Sequence, residues 1–248
     1  MPTRDIATVV AAMDARLVRM PPERTAQRVF LDTYRRTTLA VGKAIDDAQF
    51  EDPEWVERWD VAFADLYLAA LELDLVGSHE VPRPWRLAFD APESLPALRH
   101  VLLGINAHIN YDLPQALLAV ISDADFDDPL VMARRQRDHE RIDGVLSARV
   151  AAEDDELGTL SARSMLDRVL QPLNRLSSKR FLREARQKVW HNTIELQQAR
   201  VAGPEAYAAR LAELEVLSAA RIADLLAPGQ VLLRLAVAGF GVTLPPAA

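Results

Sequence analysis

The chain has 248 residues, 50% of them hydrophobic and 26% charged, with 29 Lys and Arg against 36 Asp and Glu and no Cys. That balance excludes a largely disordered chain or a fibre, and the length admits one large domain or two small ones. The missing cysteines remove disulfides, thiolate nucleophiles, iron–sulfur clusters and Cys-based zinc sites, so any metal must sit on His, carboxylate or amide ligands. A net charge of −7 and a pI ≈ 5.3 give no overall electrostatic footprint for nucleic acid.

Apolar residues recur at three and four rather than at two, and only 9 Gly interrupt them, which predicts an all-α chain. Ile6 to Val10 is a short apolar stretch followed by Asp14 and Arg16 instead of a small-residue cleavage site, so a cytoplasmic protein is expected. Ile6, Val9, Val10, Met13 and Leu17 mark a first helix that Pro21-Pro22 stops. A longer helix follows, with Val29, Phe30, Tyr34, Val41 and Ile45 on its inner face. Asp52-Pro53 is a cap followed by proline, opening a helix through Trp55, Val56, Trp59, Phe63, Leu66 and Tyr67 that fades near Gly77. Val81 to Pro92 carries three prolines and reads as a loop of about twelve residues, long enough to suggest a functional or wrapping role.

Ser94 is the expected cap of the next apolar segment, Leu95 to Ile121, with Leu98, Val101, Leu102, Ile105 and Ile109 inward and a kink or break expected at Pro114. Asp128-Pro129 repeats the cap-and-proline signature and opens a charged helix to about Ala152, after which Glu153 to Gly158 reads as a linker. Further helices are predicted at Ala162–Leu170, Ser178–Arg200 and Pro204–Leu226, the last with Tyr207, Leu211, Leu214, Leu217 and Ile222 on one stripe. Val231 to Leu244 is too short for a span needing ~20 apolar residues and carries Arg234; it reads as a terminal core helix, with no membrane span. The sum is a single-domain helical bundle of seven to nine helices over residues 1–248.

Three of the five histidines have a carboxylate four residues later: His108/Asp112, His139/Asp143 and His191/Glu195. On a helix such pairs share a face, so a ring nitrogen and a carboxylate oxygen can meet on one cation or on each other. The segment from Gly104 to Gln115 sets Asn106, His108, Asn110 and Asp112 into an apolar helix, with His100 two turns earlier. Buried polar groups without partners cost ~1–3 kcal/mol each, so this helix must satisfy them mutually or use them. Gly104 costs about 1 kcal/mol against Ala in a helix interior and leaves room for a ligand or another helix to approach.

The stretch from His100 through His108-Ile-Asn-Tyr-Asp112-Leu-Pro-Gln115 to Leu117 resembles the hallmark of an uncharacterised family of helical proteins found widely in actinobacteria. That resemblance covers about Trp55 to Ala199 and names no reaction. His108-x3-Asp112 also resembles, more distantly, the His-x3-Asp motif of the zinc-dependent phospholipase C and single-strand nuclease superfamily, which is all-helical. His139/Asp143 then matches its second motif. The resemblance implies one divalent metal, zinc foremost, held by His108, Asp112, His139 and Asp143, with Asp60 or His79 completing the set. Such a metal would polarise a phosphoryl or carbonyl oxygen or lower the pKa of bound water toward ~7.

No Gly-rich phosphate loop, Gly-x-Ser-x-Gly elbow, His-Glu-x-x-His or Glu-x-x-His motif occurs, so no nucleotide cofactor and no di-iron centre are expected. Arg134, Arg135, Arg137 and Arg141, and Lys179, Arg180, Arg183, Arg186 and Lys188, read as solvated faces paired with Asp123–Asp128 or Glu153–Glu156, with an anion clamp as the alternative. Trp55, Trp59, Trp85 and Trp190 read as core, with an apolar pocket as the alternative.

The leading expectation is a metal-assisted hydrolase or lyase-type enzyme acting on a small molecule, with His108, Asp112 and Asn110 catalytic and His100, Asn106, His191 and Glu195 lining the substrate pocket. The second is a metal-free acid/base enzyme or small-ligand binder built on a His108/Asp112 dyad, with Asn106 and Asn110 orienting the substrate. The third is a non-catalytic helical interaction protein. The implied partner is a small molecule rather than nucleic acid.

Overall fold

The structure is a computed structural model that describes residues 5–157, 175–229, 239 and 241–246. It is all-α, with nine helices among the described residues when the unbroken rod from Ala97 to Val120 is counted as one. The helix predicted at Ala162–Leu170 lies outside the described residues.

Helix α1 (Ile6–Arg19) starts on Asp5, whose carboxylate accepts the Thr8 amide at 2.8 Å, and it buries Ile6, Val9, Val10 and Met13. Helix α2 (Thr25–Asp46) turns Phe30, Leu31, Tyr34 and Val41 inward. Helix α3 (Pro53–Leu75) has the expected Asp52 cap, with the Trp55 amide donating at 3.0 Å, and Gly77 closes its end at φ +69°. The buried carboxylate of Asp138 accepts both the Glu51 and Asp52 amides at 2.8 Å, pinning this start to the later helix that opens at Pro129.

The loop expected at Val81–Pro92 contains a helix, α4 (Arg83–Phe89). Pro82 is its cap and Pro84 lies in its first turn, where a proline gives up no intrahelical hydrogen bond, so the prolines start this helix and do not prevent it. Helix α5 (Ala97–Ala107) is capped by Pro96 and not by Ser94. Pro114 produces neither a break nor a separate cap. The backbone runs through a π-helical turn, His108–Asp112, straight into α6 (Leu113–Val120), with the Leu113 amide bonded to the His108 carbonyl. That wider turn accommodates a proline ring that would clash with the preceding carbonyls of a regular α-helix.

Short α7 (Asp123–Phe126) leads to α8 (Pro129–Leu157), which runs through the acidic stretch expected to be a linker. Helices α9 (Arg175–Ala202) and α10 (Pro204–Leu226) complete the bundle, α10 with the predicted bounds. The expected terminal core helix is corrected: residues 241–246 are not helical and Gly239 sits at φ +74°, while the rest of that prediction, at 231–238 and 240, lies outside the described residues. Among the described residues no helix is long and apolar enough to cross a membrane.

The rod from Ala97 to Val120 organises the packing. Its α5 half meets α2, α4 and α10, its α6 half meets α3 and α9, and the π turn touches α3 and α10. Gly104 sets the closest of these approaches, because a Cβ there would run into the ring of Phe30 from α2. Phe30 is buried and wedged between Tyr34, Tyr67 and Trp85, so it has no room to retreat. Gly104→Ala should therefore destabilise the fold by about 1–3 kcal/mol, the overpacking cost outweighing the ~1 kcal/mol gain in helix propensity. Urea denaturation measures this directly, and a variant as stable as the parent would show that the α2–α5 contact is not tight.

Candidate functional site

Residues two apart on a helix lie ~200° apart around its axis, so the four polar residues of the central rod fall on two faces. His108 and Asp112 share one. The Nδ1 atom of His108 lies 2.8 Å from Oδ2 of Asp112, and the same oxygen accepts the indole N–H of Trp85 at 2.8 Å. A carboxylate clamped by an indole and holding one nitrogen of an imidazole fixes the ring and commits Nδ1, which leaves Nε2 as the nitrogen able to exchange a proton. Nε2 is buried with no hydrogen-bond partner.

Aromatic rings surround this imidazole. Phe63 stacks on it with centroids 3.4 Å apart and planes at 6°, and Tyr34 meets it edge-on at 4.5 Å. Trp85, Tyr67 and Phe30 follow at 5.7, 5.9 and 6.0 Å. His108 and Asp112 are 3% and 2% exposed. Burial drives both toward their uncharged forms, lowering the His108 pKa and raising that of Asp112, with the Trp85 hydrogen bond opposing part of the latter.

Two further groups belong to this neighbourhood. The Tyr34 hydroxyl lies within electrostatic reach of Asp60 and Asp112; burial and then these two acids raise its pKa, and the adjacent Thr38 hydroxyl offsets part of the rise without completing a hydrogen bond. Asp60 is 3% exposed, one of its carboxyl oxygens is buried without a partner, and burial reinforced by Glu57 holds its pKa at about 7. The site thus draws on α2, α3, α4 and the π turn. Trp85 and Tyr34 were not foreseen as functional from sequence. The available signal was the general need of a buried indole or phenol for a polar partner.

The other face of the rod does different work. Asn106 donates to its own helix at Leu102 O (2.8 Å), and Asn110 donates to Asn106 at 3.3 Å and accepts the Val242 amide at 3.2 Å. These asparagines bind backbone and each other and are not turned toward the imidazole. His191 contacts the Leu244 carbonyl at 3.1 Å, and Glu195 pairs with buried Arg210 at 2.6 Å. His100 is buried in α5, its pKa lowered by burial, with both ring nitrogens unpartnered.

The His139/Asp143 pair does not form a dyad. Arg186 lies between them, its Nη1 3.3 Å from His139 Nε2 and its Nε donating to Asp143 at 3.0 Å. His139 packs between Trp190 and Trp59, and burial together with the arginine keeps its pKa well below the ordinary value. The implied metal does not fit this arrangement, because a permanent cation already holds the second pair. Among the described residues no three His, Cys, Asp or Glu side chains are grouped to hold a metal ion, and His79 is exposed. The first arginine cluster is engaged in ion pairs: Arg134 and Arg135 with Asp52, Arg135 also with Asp125, and Arg137 and Arg141 with Glu51. In the second, Arg186 and Lys188 pair with Asp143 and Glu184. The side chains of Lys179, Arg180 and Arg183 lie outside the described residues. All four tryptophans are buried.

Fold and site together define a class: an all-α protein whose core carries an oriented imidazole–carboxylate pair inside an aromatic cluster. The chain belongs to the family of unknown function DUF5995, whose model matches residues 6–228. The match contains every residue of the site. No curated protein and no solved structure matches the chain.

The acid at position 60 gives a pH test. In the folded chain Asp60 keeps its proton to about pH 7, whereas the unfolded chain releases it near the ordinary aspartate value of 3.8. Between those limits the folded state binds more protons, so this side chain's contribution to stability falls as pH rises. Relative to the parent, Asp60→Asn should gain stability progressively from pH 4 to 7, by up to ~4 kcal/mol, and level off above. Chemical denaturation across that range reads the difference, and a pH-independent gap would contradict the buried, unpaired carboxyl.

Proposed function

We propose that the protein is a metal-independent acid/base enzyme acting on a small, oxygen-bearing molecule, with His108 transferring the proton and Asp112 orienting it. One observation carries this reading: Trp85 and Asp112 fix one side of the imidazole while Nε2 stays buried and unpartnered. A histidine kept only for packing gains nothing from that arrangement, since an unsatisfied buried nitrogen costs ~1–3 kcal/mol. A substrate carbonyl or hydroxyl oxygen would supply the missing partner, and the neighbouring Tyr34 hydroxyl would offer a second contact to the same ligand. Asp112 is a positioning residue here, because its hydrogen bond sets the ring orientation and holds Nδ1. The reading requires no metal, in keeping with a second His/Asp pair that Arg186 already occupies.

Thermal denaturation against a panel of small carbonyl, hydroxy and carboxy compounds tests it. A true ligand at 100 times its Kd adds about 2.7 kcal/mol to stability. The expected result is stabilisation of the parent chain that persists in the presence of a chelator and disappears in His108→Gln, with Asp112→Asn weakened and shifted in its pH profile. Stabilisation that requires an added divalent metal, or that His108→Gln retains in full, overturns the proposal.

A further inference from the structure

Residues 239 and 241–246 lie across α9, α10 and the π turn, and among the described residues it is side chains that hold their backbone there. Arg221 donates to Gly239 O at 2.9 Å, Lys188 to Gly241 O at 3.3 Å and Arg210 to Pro245 O. Asn110 accepts the Val242 amide, and His191 meets the Leu244 carbonyl. Asn192 makes the most specific contact. Its amide donates to Val242 O at 3.0 Å while its carbonyl accepts the Leu244 amide at 2.9 Å, so one buried side chain brackets Thr243 as a neighbouring strand's peptide group would.

The side chains of this segment alternate. Val242 is half-buried, Thr243 exposed and Leu244 only 1% exposed, the period of an extended chain. Leu244 fills an apolar pocket formed by Tyr111, Leu118, Leu196 and Leu214, a cluster separate from the main core. Gly241 passes so close to α9 that a Cβ would sit 2.8 Å from the Lys188 side chain. Backbone groups recognised by side chains, with one pocket for an apolar residue, is how proteins bind extended peptides. The groove residues fall inside the family match at 6–228, and the segment that fills the groove lies outside it.

We propose that this groove is a peptide-recognition site, that residues 239 and 241–246 are its intramolecular ligand, and that its partner is an extended segment of the same chemistry as 241–245: small, apolar, any residue, apolar, proline. The segment acts as a plug. When it leaves, Asn192, Arg210, His191 and the leucine pocket are open to a competing peptide, and so is Asn110 on the turn that carries His108. This inference does not depend on the acid/base reading.

The test uses the full chain and a fluorescently labelled peptide of residues 239–246. The parent should bind the peptide weakly or not at all, because its own segment is in place. Leu244→Asp, with its helical content checked by circular dichroism, should bind it saturably, and adding Asn192→Ala should weaken that binding at least about tenfold. A folded Leu244→Asp that does not bind the peptide overturns the proposal. Should Leu244→Asp fail to fold, hydrogen exchange on the parent decides: the Val242 and Leu244 amides exchanging much faster than those of α6 supports a removable plug, and exchange only at the rate of α6 overturns it. Concentration-dependent dimerisation of the parent that Leu244→Asp abolishes would assign the groove to a second copy's segment and overturn the separate partner.

Discussion

A helix that runs through the middle of an apolar core while carrying Asn106, His108, Asn110 and Asp112 sets the terms for the rest of the structure. None of the four is more than 3% exposed, so bulk water cannot satisfy them, and each must find protein partners or be left wanting. The two faces solve this differently. The asparagines close on the Leu102 carbonyl, on each other and on the Val242 amide. The histidine and aspartate close on each other and on one indole, and one nitrogen is left over. That leftover atom, on a ring fixed from its other side, is the feature on which the proposed proton transfer rests.

Bringing the indole into place depends on a helix inside a proline-rich stretch. Trp85 lies in the first turn of α4, and Pro82 and Pro84 fix where that turn begins. Phe30 reaches the same point from α2 only because Gly104 has no side chain. Phe63 and Tyr67 come from successive turns of α3. The imidazole is therefore oriented by well-packed residues on four separate elements, the kind of fixed geometry that the proposed proton transfer would need. The π turn that carries it is a helix irregularity of a kind frequent at functional positions, and here it also lets Pro114 follow without a break.

Helix periodicity and cap-and-proline pairs made most of the fold legible. Asp52-Pro53, Asp128-Pro129 and the stripe of α10 placed their helices closely, because those signals are local. Proline was misjudged at α4, where its effect depends on position within a turn. The last segment was misjudged for a different reason. Val231 to Leu244 has the apolar content of a helix, but what holds residues 241–246 is side chains from α9 and α10, and no local pattern reports such distant donors. Of the site, His108 and Asp112 were visible from their spacing. Tyr34 and Phe63 were visible only as core, and Trp85 as core or the lining of an apolar pocket, since nothing in a buried aromatic's sequence context says which polar atom it will meet.

The three His/carboxylate pairs show how little spacing alone decides. All three sit four residues apart on helices. His108 and Asp112 bond directly, and the Trp85 indole donates to the same carboxyl oxygen. His139 and Asp143 are separated by Arg186, whose guanidinium serves the carboxylate and faces the imidazole at once. His191 and Glu195 turn to different partners, a backbone carbonyl and Arg210. Shared spacing brings two side chains to one face, but the third group on that face determines the chemistry. Where that group is an arginine, the pair becomes an ion pair with a bystander imidazole; where it is an indole, which donates one hydrogen bond and carries no charge, the imidazole and the carboxyl stay bonded to each other.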